Sequence, residues 1–164
     1  MLEKNKGETL TIYDEFVGLA DKFDFSDFVE VAIDTEQYHY VAIEIKGNLL
    51  FRSGEAELME EAWPIISKVG DVLKQYSGYK VEVIGHTDNV PLSVPPYYNN
   101  DVLSFCRART VAMYLAEEKN LGWENVEFTG RGEREPVASN ETEDTRKENR
   151  RVEIRLYNKK NSGN

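Results

Sequence analysis

The stretch Lys80-Val81-Glu82-Val83-Ile84-Gly85-His86-Thr87-Asp88-Asn89 decides how this chain folds. Val81 and Val83 alternate with Lys80 and Glu82, the period of a half-buried strand, and the run ends in a glycine followed by short polar residues. A polar, proline-containing loop follows, then a helical pattern carrying Leu103-Ser104-Phe105-Cys106-Arg107-Ala108. Strand, loop and helix put an acid, Asp88, and a base, Arg107, within reach of one another. That arrangement suits binding a zwitterion better than breaking a bond.

Outward from this unit, period two returns at Val29, Val31 and Ile33, at Val41, Ile43 and Ile45, at Val126 and Phe128, and at Val152, Ile154 and Leu156. The first two runs read as a hairpin. Every run has one apolar and one polar face, which predicts a sheet covered on one side and wet on the other. Two helices supply the cover. Glu60 to Tyr76 carries Ile65, Ile66, Val69, Val72 and Leu73 on one face, with Pro64 placed in the first turn, where a missing N–H costs nothing. Asn100 to Glu118 carries Leu103, Ala108, Val111 and Leu115, with Asn99, Asn100 or Asp101 as its cap. The polar connection from Gly132 to Asn149 reads as a long loop that could rim the same site.

The expected fold class is therefore α/β of the α+β type: a two-layer β-α-β-α-β-β domain over residues 37–158, with its helices on one face of a mixed sheet. Residues 1–36 read as an N-terminal linker helix and extra strand, and residues 159–164 as a disordered tail. The linker helix, Thr9 to Phe25, is amphipathic, with Ile12, Phe16, Leu19 and Phe23 in one stripe. That stripe either packs on the domain or serves self-association.

Composition narrows the function. With 164 residues, 40% hydrophobic and 30% charged, the chain suits one domain and an extension, and no apolar run approaches a membrane span. Met1 to Lys6 lacks the apolar core of a secretory signal, so a targeting segment, if there is one, lies outside this sequence. A net charge of -10 argues against nucleic-acid binding, although Arg146 to Asn164 is basic, with seven bases against two acids. Cys106 is the sole cysteine and reads as a half-buried structural thiol. His86 invites a metal or general-base reading around Asp88, but the only other histidine, His39, precedes a different strand, and a role in ordering the loop through backbone hydrogen bonds fits better. Asp88 and Arg107 alone could also simply pair, and Arg150 and Arg151 could flank an ordinary edge strand.

Five ordered blocks resolve that choice by resemblance. They are Leu49-Leu50-Phe51 with Ser53-Gly54; Gly85-His86-Thr87-Asp88-Asn89-Val90-Pro91; Leu103-Ser104 with Arg107-Ala108; Gly130 with Gly132-Glu133 and Pro136; and Asn149-Arg150-Arg151-Val152-Glu153. Together they resemble the OmpA-like peptidoglycan-binding domain over Tyr40 to Tyr157. The long loop Val90 to Asn100 is most similar to the version in the flagellar stator branch, the MotB proteins. Arg131 departs from the aromatic that the family usually places between the two glycines.

The resemblance implies noncatalytic binding of the diaminopimelate end of a peptidoglycan stem peptide, with no metal and no cofactor. Asp88 would take the ligand's ammonium and Arg107 its carboxylate, with Thr87, Asn89 and Leu103 completing the pocket and Arg151 close by as a second anion contact. It also implies an extracytoplasmic homodimer, anchored to the cytoplasmic membrane by a segment upstream of Met1 and partnered there by a MotA-like stator subunit. A wall anchor unrelated to motility and, behind it, a metal-dependent wall hydrolase are the alternatives.

Overall fold

The computed structural model describes residues 2–159, so the tail expected at 159–164 lies, Lys159 apart, outside the described residues. Strands β1 (Val29–Ile33), β2 (Tyr40–Lys46), β3 (Val81–His86), β4 (Val126–Gly130) and β5 (Arg151–Tyr157) form one sheet in the order β1-β2-β5-β3-β4. β3 and β4 are parallel, and the other neighbouring pairs are antiparallel, including the expected β1–β2 pair. The last strand of the chain is thus central and not an edge. Val152, Ile154 and Leu156 face Ile45, Ile43 and Val41 on one side and Gly85, Val83 and Val81 on the other. This register aligns the apolar residues of three strands in rows on one face of the sheet.

Helices α2 (Trp63–Leu73) and α3 (Asn100–Met113) cover that face through Ile66, Val69 and Val72 and through Ala108, Val111 and Ala112, all fully buried. Short 3-10 turns, Glu60–Ala62 and Lys74–Tyr76, extend α2 to the bounds that the sequence implies, with Pro64 in its first turn. The side chain of Asn99 caps α3, accepting the amide of Val102 at 2.8 Å, and a π turn, Tyr114–Glu118, continues the helix.

Helix α1 runs from Leu2 to Lys22, beginning well before Thr9. Its inward stripe is Asn5, Thr9, Ile12, Phe16 and Ala20, and the first two were invisible to apolar spacing because they are polar. Thr9 Oγ1 donates to the Tyr38 carbonyl at 2.6 Å, and Asn158 Nδ2 donates to Thr9 Oγ1 and to that same carbonyl at 3.1 and 2.7 Å. Ile12, Phe16 and Ala20 join the common core, with Phe16 edge-on to Tyr76 at 5.3 Å between ring centres. Of the two readings of this stripe, packing on the domain is the one observed.

Two expectations need correction. The second face of the sheet is not uniformly wet, because Ala42, Ile84, His86, Arg151 and Glu153 are buried on it. The connection from Gly132 to Asn149 contains a helix, α4 (Glu143–Asn149). Thr142 caps it by accepting the amide of Thr145 at 3.2 Å, and acids in its first turn and bases in its last match the helix dipole.

A charged cleft at the carboxyl end of β3

Glycine sets the geometry of the site. A Cβ at Gly85 would collide with the backbone carbonyl of Ser104, and one at Gly130 with the backbone amide of Phe105, so α3 lies directly on the ends of β3 and β4. The Thr87 amide, one residue past β3, donates to the Gly132 carbonyl at 2.8 Å and fixes the start of the loop. Leu103 and Arg107 on α3 then share a cleft of about 620 Å³ with Thr87 and Asp88. Glu143, Arg146 and Arg150, from α4 and its end, line the same cleft.

Asp88 is only 7% exposed. Its Oδ1 accepts the Val90 amide at 3.0 Å and its Oδ2 accepts Arg150 Nη1 at 2.6 Å. Arg150 reaches further, to Glu143, and so bridges two carboxylates. Burial lowers the pKa of the Arg150 guanidinium, but the hydrogen bonds to Glu143 and Asp88 outweigh this and raise it.

Arg107 does not pair with Asp88. Its Nε donates to the Glu55 carbonyl at 2.7 Å and its Nη2 to the Arg52 carbonyl at 3.2 Å, while the guanidinium lies over the Phe51 ring at 5.0 Å. Backbone oxygens and a ring therefore aim this cation without neutralising it. Burial brings its pKa down to about 10, which leaves it charged at neutral pH.

Four of the six residues singled out in the sequence, Thr87, Asp88, Leu103 and Arg107, line the cleft together. Asn89 is exposed beside it. Arg151 is elsewhere: its guanidinium is buried against the carbonyls of Asn149 and Glu135, at 3.2 and 3.1 Å, on the polar face of the sheet. The reason is register. β5 begins at Arg151, whereas Arg150 is the residue that closes α4, and successive side chains of an extended chain point to opposite sides. Arg150 occupies the position expected of Arg151. The cap residue Thr142, followed by two acids and then by Arg146 and Lys147, was the signal that could have revealed α4 and hence Arg150.

His86 also differs from its expected backbone-bonding role. It is 2% exposed, and its Nε2 meets Glu153 Oε1 at 3.0 Å under the sheet. Glu153 accepts Arg155 Nε at 2.8 Å as well, and Arg155 lies over Tyr40 at 4.1 Å. Burial favours the protonated Glu153, but the hydrogen bonds from His86 and Arg155 win and bring its pKa down to about 2. Burial lowers the pKa of His86 in spite of Glu153, so the ring is neutral at physiological pH. His86 and Asp88 thus serve different partners, and among the described residues no group of three or more His, Cys, Asp or Glu is placed to hold a metal ion. A neighbouring hollow of about 660 Å³ has a largely apolar floor, including Phe25, Phe28, Leu49 and Ile65, with Arg52, Glu61 and Lys68 also among its lining residues.

Comparison with known proteins agrees with this architecture. The chain is 35% identical over 112 residues to Motility protein B of Bacillus subtilis, a match that covers 68% of this chain and 43% of that protein. The chain therefore spans less than half the length of the curated relatives it matches first. The cell wall anchor of the type VI secretion system of Pseudomonas aeruginosa superposes with a TM-score of 0.75 at 30% identity, covering 85% of this chain and 94% of that one. A MotB-like protein of Desulfovibrio vulgaris gives a TM-score of 0.86 over 94% of both chains; at 21% identity it speaks for the fold alone. The OmpA family matches residues 50–150, which contain Thr87, Asp88, Leu103, Arg107 and Arg150, and the chain belongs to that family.

Proposed function

We propose that this domain binds the diaminopimelate end of peptidoglycan stem peptides without catalysis, and so ties a flagellar stator to the cell wall. The observation that carries this reading is the juxtaposition of Asp88 and Arg107, opposite charges aimed into one cleft without neutralising each other. The far end of diaminopimelate bears an ammonium and a carboxylate on one carbon. In this reading Asp88 takes the ammonium, Arg107 the carboxylate, and Thr87, Asn89 and Leu103 frame the carbon between them. Arg151, held by carbonyls under the sheet, has no part in it.

The stator assignment is supported by the similarity to Motility protein B. It brings with it an extracytoplasmic location, a homodimer, and a MotA-like membrane subunit engaged through a segment upstream of Met1. The similarity to the secretion-system wall anchor favours a second reading, a wall anchor outside motility. The upstream sequence separates the two: a lone membrane helix with an embedded aspartate belongs to a proton-driven stator, and a lipid-attachment cysteine to a lipoprotein.

The binding step is tested by co-sedimentation with purified sacculi. Wild type is expected in the pellet and Asp88→Ala in the supernatant. Equal retention of the two would sink the pocket, and release of soluble muropeptides would restore the hydrolase alternative.

A further inference from the structure

The hollow of about 660 Å³ lies between the chain that follows α1 and the first turns of α2, and its chemistry differs from that of the cleft. Phe25 and Ile65 are buried in it, and Leu49, Met59 and Phe28, the last 42% exposed, add apolar surface. The charges that line it are Arg52, Lys68 and Glu61, an excess of one cation on a chain whose net charge is -10. None of these three side chains has a hydrogen-bond or ion-pair partner among the described residues. An apolar hollow of this size with a few polar groups to fix orientation has the form of a small-molecule site. Segment 48–52 borders both cavities: Asn48 lines the two, Leu49 and Arg52 line the hollow, and Phe51 lines the cleft. The Arg52 carbonyl accepts Arg107 Nη2 at 3.2 Å, and the same guanidinium lies over the Phe51 ring.

We propose that the hollow binds a free single-chain amphiphile with an anionic head, of the fatty carboxylate class, and that its occupancy is transmitted to Arg107. The alkyl chain lies on Phe25, Phe28, Leu49 and Ile65, with the flexible Met59 adapting to it, and the carboxylate meets Arg52 and Lys68. A cationic head would face two like charges and one acid, so the sign of the head decides binding. The occupant is a free amphiphile and not a bilayer, because a chain that reaches Phe25 and Ile65 must leave the plane of a membrane, and a net charge of -10 repels an anionic lipid surface. A carboxylate on the Arg52 guanidinium restrains that residue and with it the carbonyl on which Arg107 Nη2 rests, so the ligand bears on the cleft through one residue. None of this depends on what the cleft itself binds.

Isothermal titration of the chain with laurate, kept below its micelle point, tests the site. Wild type should bind laurate and should bind the matched cation, dodecyltrimethylammonium, about tenfold more weakly, the scale of one charge-assisted hydrogen bond in a partly wet site. Arg52→Gln combined with Lys68→Gln should weaken laurate binding about tenfold with the fold retained, since neither side chain has a partner to lose. Phe28→Ser, at a half-exposed position, should weaken it as well. In proton–nitrogen correlation spectra the Arg107 Nε–H, which donates to the Glu55 carbonyl, should shift as laurate saturates wild type and stay in place in the double variant at the same laurate concentration. Equal affinity for laurate and the cation overturns the anionic head, and no binding of laurate overturns the site. Binding to phosphatidylglycerol vesicles with none to laurate makes the occupant a membrane surface and overturns the proposal too. A saturated hollow with an unmoved Arg107 signal overturns the transmission to the cleft.

Discussion

Two charged clusters hang on the same pair of strands, β3 and β5, and they are built to opposite ends. Under the sheet, His86, Glu153, Arg155 and Tyr40 are closed on one another. In the cleft, Asp88 is held by the Val90 amide and by Arg150, which also reaches Glu143, while Arg107 rests on backbone carbonyls and has no carboxylate partner. The first arrangement neutralises charge inside the fold and gives rigidity. The second leaves the Arg107 cation without a carboxylate partner at the edge of the fold, beside an Asp88–Arg150 pair that borders the cleft. The change from one side to the other takes two residues past the end of β3, from His86 to Asp88, and one residue before the start of β5, from Arg151 back to Arg150.

Glu153 is the residue on which the buried cluster depends most, because it accepts from both His86 and Arg155. If its cluster is structural, Glu153→Ala leaves Arg155 as a buried cation short of its counter-charge and should cost about 3–5 kcal/mol. Thermal unfolding should show this as a fall in Tm of roughly 10 °C. The folded fraction should still pellet with sacculi. Loss of retention without loss of stability would mean that the two clusters are a single functional unit.

Acid probes the same cluster without mutation. Glu153 is held at a pKa of about 2, below the ordinary 4.5, so its contribution is complete above about pH 5 and is lost as pH falls toward 2, up to roughly 3 kcal/mol. His86 has a lowered pKa, so its unfolded form binds the proton more readily, and stability should already begin to fall below about pH 6.5. Urea midpoints should therefore decline in two stages with acidification, and His86→Gln should remove the earlier one. A flat profile between pH 7 and pH 5 would contradict the buried neutral histidine.

Gly85 couples the clusters through packing. Gly85→Ala forces a methyl against the Ser104 carbonyl and should lift α3 from the strand end, at a cost of about 1–3 kcal/mol. Because Leu103 and Arg107 ride on α3, wall binding should weaken as well. A variant that lost stability but kept full affinity would show that the cleft tolerates a displaced helix.

Most of this was legible in the sequence where apolar residues did the positioning. Val81, Val83 and Ile154 gave their strands by alternation, and Ile66, Val69 and Val111 gave their helices by spacing. Thr87, Asp88, Leu103 and Arg107 follow, because the loop and helix after β3 carry them to one place. Polar positioning left no such trace. Asn5 and Thr9 extend the buried stripe of α1 through hydrogen bonds, and α4 is a seven-residue helix without a hydrophobic period, held by Thr142 and its end charges. Arg150 could not be told from Arg151 without knowing where α4 stops and β5 starts, since a shift of one residue reverses the side on which an extended side chain falls.

That one-residue distinction yields the smallest and sharpest expectation. Arg151→Gln removes a buried guanidinium from the carbonyls of Asn149 and Glu135 and should lower stability by about 1–3 kcal/mol, with sacculus binding intact in the folded protein. Arg150→Gln removes a cation whose side chain is 27% exposed, and its ion pairs should be worth no more than about 1 kcal/mol to the fold. Its effect should appear in binding instead. Asp88 then loses the guanidinium that occupies its Oδ2, so the acid becomes easier for a ligand ammonium to reach and retention on sacculi should shift while stability hardly does. The two substitutions are chemically identical and adjacent in sequence. Matching stability and binding profiles for the pair would mean that the boundary between the closed cluster and the open one does not lie between these two residues.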